Sequence, residues 1–173
     1  MLVPLERRQD GVLRIVFVRR SDRGIHGGQV GFPGGKREPG DRSLLDTALR
    51  ETREEIGLAA EQVTVIEQLP VIDTLTTRFR VTPFLARIDP PKVWRVSGDE
   101  VAEVLEFAVV DFFNPKARGE ELARFPSWPA PRLMPHFQFG PHRIWGATYR
   151  IVEPLLPRLR RHPFAPGGGP IPT

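Results

Sequence analysis

Cysteine is absent from the chain, which excludes disulfides, thiolate metal sites and thiol catalysis in one step. Lysine is scarce: Lys36, Lys92 and Lys116 are the whole complement, so almost all of the 25 basic side chains are arginine. No stretch approaches the roughly 20 consecutive apolar residues of a membrane span, and the N-terminal stretch lacks the basic-then-apolar pattern of a secretory leader. Together these absences lead to the expectation of a cytoplasmic protein. Arginine favours planar, bidentate partners such as phosphate and carboxylate, so the net charge of +4 points to an anionic substrate or a nucleic acid, or else to an arginine-rich composition without special meaning. Apart from Arg158, Arg160 and Arg161 the basic residues are scattered, which is poor support for nucleic-acid binding.

What is present is enough for one folded domain. Of 173 residues, 40% are hydrophobic and 27% charged, the balance of a chain with a real core rather than of long disorder. A domain of this size buries roughly 70% of the surface its unfolded form exposes. Residues 1–161 are expected to form that domain, and the Pro/Gly-rich stretch 162–173 a mobile tail.

Extended segments are expected at residues 1–6, 12–18, 30–32, 63–69 and 78–88, and over most of 101–110. Residues 125–135 suggest a proline-rich loop, and 135–139 with 142–145 a hairpin around Gly140-Pro141. The clearest helix is 43–56, where Leu45, Ala48, Leu49, Thr52 and Ile56 recur on one stripe and Gly57 supplies a stop. A second helical pattern covers 147–161, with Pro154 and Pro157 inside it; each removes an amide donor, so a broken or bent helix is expected there.

The chemistry concentrates at Gly34-Gly35 and in the run Arg50-Glu51-Thr52-Arg53-Glu54-Glu55-Ile56-Gly57. At about 100° per residue, Glu51, Glu54 and Glu55 share one face, adjacent to the apolar stripe. Three like charges one turn apart repel. A hard divalent cation removes that repulsion, and an all-oxygen donor set favours Mg2+ or Mn2+ over zinc or copper. The alternative is a solvated acidic face paired with Arg50 and Arg53. A glycine turn ahead of the helix lets the preceding loop approach such a metal closely.

This segment resembles the Nudix box, G-x5-E-x7-R-E-U-x-E-E-x-G-U with U aliphatic. The second half matches, with Thr52 at the first U position. The first half is displaced: Lys36 and Arg42 fall where Gly and Glu belong, the spacing from Gly35 to Arg50 is one residue longer, and Asp41 or Glu38 takes the glutamate's place. Upstream, Arg19-Arg20-Ser21 and Gly28-Gln29-Val30-Gly31-Phe32-Pro33-Gly34-Gly35 resemble the second motif of the branch that hydrolyses coenzyme A, with the interval from Ser21 to Gly28 one residue short. The segment Pro141-His142-Arg143-Ile144-Trp145-Gly146-Ala147-Thr148 is similar to a C-terminal segment of the same branch.

The resemblance implies an α/β (α+β) fold, a Nudix-type mixed β-sheet sandwiched between helices. It implies cleavage of coenzyme A or an acyl-CoA by water, to 3′,5′-ADP and 4′-phosphopantetheine, with Mg2+ or Mn2+ held by Glu51, Glu54 and Glu55. Glu54 or Glu55 is the base if it is not a direct ligand; Glu100 and Glu103 are candidates from a distant loop. Arg50 is expected to orient a box glutamate. Arg19, Arg20, Arg23, Gln29, Phe32, Gly34, Gly35 and Lys36 are the candidate substrate contacts, with packing of the turn as the alternative for Phe32. Trp145 offers adenine stacking or core packing, and His26 and His142 offer a base, a phosphate contact or a turn. Competing readings are the same fold acting on ADP-ribose, a dinucleotide, a capped RNA or a nucleotide triphosphate, a non-catalytic nucleotide sensor, and a nucleic-acid binder. A strand beginning almost at Met1 suggests either a true start further upstream or an edge covered by a second copy, the latter a homodimer.

Overall fold

The computed structural model describes residues 1–23, 27–74, 79–125 and 128–161; His26 and the 162–173 stretch lie outside them. The elements in chain order are β1 (Leu2–Arg7), β2 (Leu13–Arg20), β3 (Val30–Gly31), α1 (Leu44–Ile56), β4 (Val63–Gln68), β5 (Ile72–Asp73), β6 (Arg80–Val81), β7 (Phe84–Ile88), β8 (Val101–Ala108), β9 (Arg118–Ala123), β10 (Arg132–Phe139), β11 (His142–Trp145) and α2 (Gly146–Arg161).

The main sheet is mixed. Its path runs β3-β2-β1-β7-β4, with β8 on the far side of β2. β1 and β7 are parallel, and the other pairs are antiparallel. β1 therefore lies inside the sheet, between β2 and β7. The expectation of an open edge at the first strand is corrected, and the argument for a homodimer built on it falls away.

Period-2 alternation sends neighbouring side chains to opposite faces. Val3, Leu5, Ile15, Phe17 and Leu85 join one core with Phe112, Phe137, Ile144 and the buried face of α2. Leu2, Val16, Val18, Phe84, Ala86 and Ile88 join a second core under α1, with Ala48, Ile56 and Leu58. The sheet is thus sandwiched between α1 on one face and, on the other, α2 with the three-stranded sheet β11-β10-β9.

α1 forms where its caps are. The Ser43 side chain accepts a hydrogen bond from the Asp46 amide, and Gly57 closes the helix with φ of 73°, a conformation that favours glycine. Thr52, which replaces an aliphatic residue of the box, is fully buried and satisfies its hydroxyl by donating to Ala48 O at 2.7 Å.

Three expectations are corrected. Residues 78–88 are not one strand: β6 pairs with β5, β7 pairs with β1 and β4, and Thr82-Pro83 separates them, since Pro83 has no amide for a ladder. The 125–135 loop ends early, because β10 already begins at Arg132 and pairs with β9, a strand the sequence did not suggest. α2 is one helix through Pro154 and Pro157. Six buried residues, Thr148, Ile151, Val152, Leu155, Leu156 and Leu159, outweigh the roughly 3 kcal/mol that each interior proline costs.

Candidate active site

The turn after β3 and the carboxylate face of α1 are built against each other. Gly34 donates its amide to Glu55 Oε2 at 2.9 Å. Gly34 has φ of 145°, and a Cβ on it would lie 2.6 Å from Met1 Cα, so only glycine fits. A Cβ on Gly35 would lie 2.5 Å from the carboxyl carbon of Glu51. The two glycines thus let the loop lie directly on the two glutamates.

Arg50 organises the loop. It donates from Nε to Asp41 Oδ1 at 3.0 Å and from Nη2 to Asp41 Oδ2, Glu51 Oε1 and Lys36 O, each at 3.1 Å; Nη1 reaches Glu54 Oε2 at 2.9 Å. Asp41 is buried and also accepts from the Thr47 hydroxyl at 2.8 Å and the Glu38 amide at 2.9 Å. The Arg50 guanidinium, then the Glu38 amide, hold the Asp41 carboxyl well below the usual range, and the same pairing keeps Arg50 protonated. Glu38 is exposed, its carboxylate 3.9 Å from Arg50 Nη1. Of the two residues the sequence left open for the displaced glutamate, Asp41 is the buried partner of Arg50 and Glu38 the exposed one.

The three helix glutamates are not equivalent. Side-chain exposure is 57% for Glu54, 12% for Glu51 and 1% for Glu55. Ligand atoms of Glu51, Glu55 and Glu100 all lie within 4.8 Å of one another. Glu54 lies outside that group, its carboxylate on Arg50. Burial pushes the Glu55 carboxyl up to about 7 against the opposing pull of the Gly34 amide and Arg20. Burial also raises Glu51, opposed by Arg50. Glu55 Oε1 is buried without a hydrogen bond among the described residues, and the nearest cation, Arg20 Nη2, is 3.7 Å away. A buried, unsatisfied carboxylate oxygen beside two further carboxylates is a donor set that fits a hard divalent cation.

Glu100 reaches α1 through the segment before β8. The Ser97 amide donates to Glu55 O at 3.0 Å and the Arg95 amide to Ile56 O at 3.4 Å, satisfying carbonyls at the end of the helix. These are backbone contacts, and no side-chain pattern signals them. Glu103 lies elsewhere: it faces Arg19 Nε at 3.4 Å and His142 Nε2 at 3.4 Å.

The candidate substrate contacts separate in the same way. Arg20, half-exposed, lies 3.5 Å from Gly34 O. Arg19 is tied to Asp22 at 2.9 Å as well as to Glu103. Arg23 is fully out in solvent near Asp99. Gln29 holds the Arg20 amide through its carbonyl at 2.9 Å. Lys36 is exposed, its ammonium 4.9 Å from the Phe79 ring. Phe32 is a correction: it is 1% exposed and stacked on Phe17 at 4.8 Å, in the core and out of a ligand's reach. Trp145 stacks on Phe125 at 5.8 Å, so its ring already has an aromatic partner.

A family model described as the NUDIX domain matches residues 1–128. The chain is 38% identical over 172 residues to the human mitochondrial coenzyme A diphosphatase NUDT8, covering 96% of this chain and 71% of that protein. It is 37% identical over 153 residues to the uncharacterized Nudix hydrolase NudL of Salmonella paratyphi B, covering 86% and 70%. Among solved structures, a MutT/nudix family protein from Enterococcus faecalis superposes with a TM-score of 0.54 at 17% identity, over 93% of this chain and 60% of that one. A C. elegans Ap4A hydrolase complex gives 0.52 at 24% identity, over 64% and 78%. At those identities the structural likeness shows the fold.

Proposed function

Since the chain belongs to the Nudix hydrolase family, we propose that it hydrolyses the pyrophosphate of coenzyme A or an acyl-CoA, with Mg2+ or Mn2+, to 3′,5′-ADP and 4′-phosphopantetheine. The observation that carries the chemistry is the convergence of Glu51, Glu55 and Glu100 beside the Gly34-Gly35 turn. The substrate reading is supported by the similarity, along nearly the whole chain, to a coenzyme A diphosphatase.

Glu51, Glu55 and Glu100 would hold the cation, which when bound supplies charge neutralisation and Lewis acidity to a pyrophosphate. Arg50 fixes Glu51 from one side and Asp41 fixes Arg50 from the other, so the carboxylates are oriented before substrate arrives. Glu54, outside the converged group, serves as a further ligand or as the acceptor of the water's proton. The water oxygen bonds to one phosphorus, the bridging P–O bond breaks, and the leaving phosphate keeps that electron pair. Arg20 and Lys36 border the Gly34-Gly35 turn with exposed positive charge suited to phosphate oxygens. A cytoplasmic location belongs to this reading; among the described residues no helix is long and apolar enough to cross a membrane.

The test is hydrolysis of coenzyme A by the purified protein with each metal, products identified by mass, beside ADP-ribose, NADH and nucleotide triphosphates. Release of both products, lost in Glu55→Gln, is expected. Cleavage of another compound alone would discard the coenzyme A assignment. Nucleotide binding without any cleavage would turn the reading toward a sensor.

A further inference from the structure

Glu100 is exposed and sits in a segment without regular structure, yet its carboxylate meets two carboxylates on a helix that is distant in sequence. Something must hold it there against mutual repulsion. Two features do so. The first is a β-bulge. Along the β2–β8 ladder Arg19 faces Glu103, but Arg20 faces Val101, so Ala102 is the extra residue. A bulge shifts the alternation of its strand by one. Val101, odd-numbered like Leu105, consequently turns into the core under α1 alongside Val104, whereas Leu105 points to the opposite core.

The second is Ser21, the residue that follows β2. Its hydroxyl donates to Asp99 O at 2.6 Å and its amide donates to Glu100 O at 2.9 Å. One residue thus grips two successive carbonyls of the acidic segment. Behind that grip the turn closes on itself, with the Gly98 amide on Val101 O at 3.1 Å and the Val101 amide on Ser97 Oγ at 3.2 Å. A side-chain contact on this segment from the β2 side is Arg23 to Asp99 at 3.4 Å, between two side chains exposed enough for solvent to screen the pair.

We infer that Ser21 is a positioning residue of the metal centre: its paired hydrogen bonds to Asp99 and Glu100, acting with Val101 anchored in the core under α1, set the Glu100 carboxylate against Glu51 and Glu55. The inference rests on the reading of Glu100 as a metal ligand. Ser21 touches neither metal nor substrate. It acts through the backbone that carries the ligand, as groups behind metal ligands generally do.

The test uses Mn2+ alone, bound to the metal-free protein and followed by electron paramagnetic resonance of the free ion, so that it does not depend on turnover. Ser21→Ala removes the hydroxyl and keeps the amide; Ser21→Thr keeps both. Ser21→Ala is expected to weaken Mn2+ binding about tenfold, Ser21→Thr to restore it, and Glu100→Gln to weaken it by at least as much. In the Glu100→Gln background, Ser21→Ala is expected to add nothing, because its effect runs through that carboxylate. Wild-type binding by Ser21→Ala, with Glu100→Gln impaired, would overturn the positioning role and leave the ligand reading intact. An additive loss in the double variant would also overturn it. Wild-type binding by Glu100→Gln would remove the ligand reading and the inference with it.

Discussion

Arg50 and Asp41 form a two-pronged ion pair, Nε to Oδ1 at 3.0 Å and Nη2 to Oδ2 at 3.1 Å, that fastens the loop before α1 to the helix that carries the glutamates. Asp41→Asn keeps the size and removes the charge. It leaves Arg50 without its buried partner and lets Glu51 swing. Coenzyme A hydrolysis is expected to fall about 10- to 100-fold in kcat/KM, while Glu38→Gln stays within about twofold. Steady-state kinetics on the two variants decides it, and equal losses would mean that the pair does not fix the loop.

Gly35 has no room for a side chain. Gly35→Ala drives a methyl group against the Glu51 carboxylate. That carboxylate is the end of a flexible chain, so the helix survives and the carboxylate moves. The expected outcome is a thermal midpoint within a few degrees of wild type, with Mn2+ affinity and turnover each down at least tenfold. Unfolding of the variant at room temperature would show that the contact is structural.

Glu55 links metal binding to pH. Burial first, against the Gly34 amide and Arg20, holds its carboxyl protonated up to about 7 in the metal-free protein. A metal must displace that proton. Calorimetry at pH 6 in buffers of differing ionisation enthalpy should report close to one proton released per ion, falling toward none above pH 8. Affinity should rise with pH and level off above about 7. Identical heats in all buffers at pH 6 would contradict this.

Glu6 gives the opposite pH dependence to the usual acid denaturation. It is fully buried, Arg8 donates to it at 3.2 Å, and Arg8 and Trp94 both donate to the neighbouring Glu106 at 2.6 Å. Burial, then the hydrogen bond with Glu106, raises Glu6 from its ordinary 4.5 to about 7. A raised folded value means that the native state binds the extra proton. Its stabilisation is fully present below pH 4.5 and is lost as pH rises through about 7. Thermal or urea unfolding should show roughly 2 kcal/mol less stability at pH 8 than at pH 5 from this group, and Glu6→Gln should flatten that slope.

Pro154 and Pro157 lie on the exposed face of α2. Pro154→Ala restores a helical amide and touches no buried contact, so unfolding stability should rise by about 1–3 kcal/mol with hydrolysis unchanged.

Local signals carried what was legible in the sequence. α1 announced itself because Ser43, Gly57 and its stripe are all written within one segment, and the box glutamates came with it. The contrast between Asp41 and Glu38 is not local: both sit in the loop, and only the three-dimensional path of Arg50 makes one its buried partner and leaves the other exposed. Glu100 and Glu103 read alike in the sequence, and what separates them is where the ladder ends: Glu103 lies inside β8 facing Arg19, whereas Glu100 precedes β8 in the turn gripped by Ser21. β9 escaped notice because Arg118-Gly119-Glu120-Glu121 alternates no apolar residue against a polar one. Phe32 stands open in the sequence between packing and ligand contact because it sits beside Pro33-Gly34, and its place in the core, stacked on Phe17, follows from the neighbouring pairing of β3 with β2.

The interior position of β1 has a consequence for how the chain acquires its shape. Leu2 finds its partner at Phe84, and Arg14 finds one of its partners at Ala108. The central strands thus close loops of 80 to 100 residues before the sheet is whole, and such topologies fold slowly. On the ribosome β1 and β2 emerge well before β7 and β8, and their outer flanks, strongly apolar, wait unpaired until those strands are made. The nascent chain, rather than the finished enzyme, is the form most exposed to misassembly and in greatest need of a chaperone.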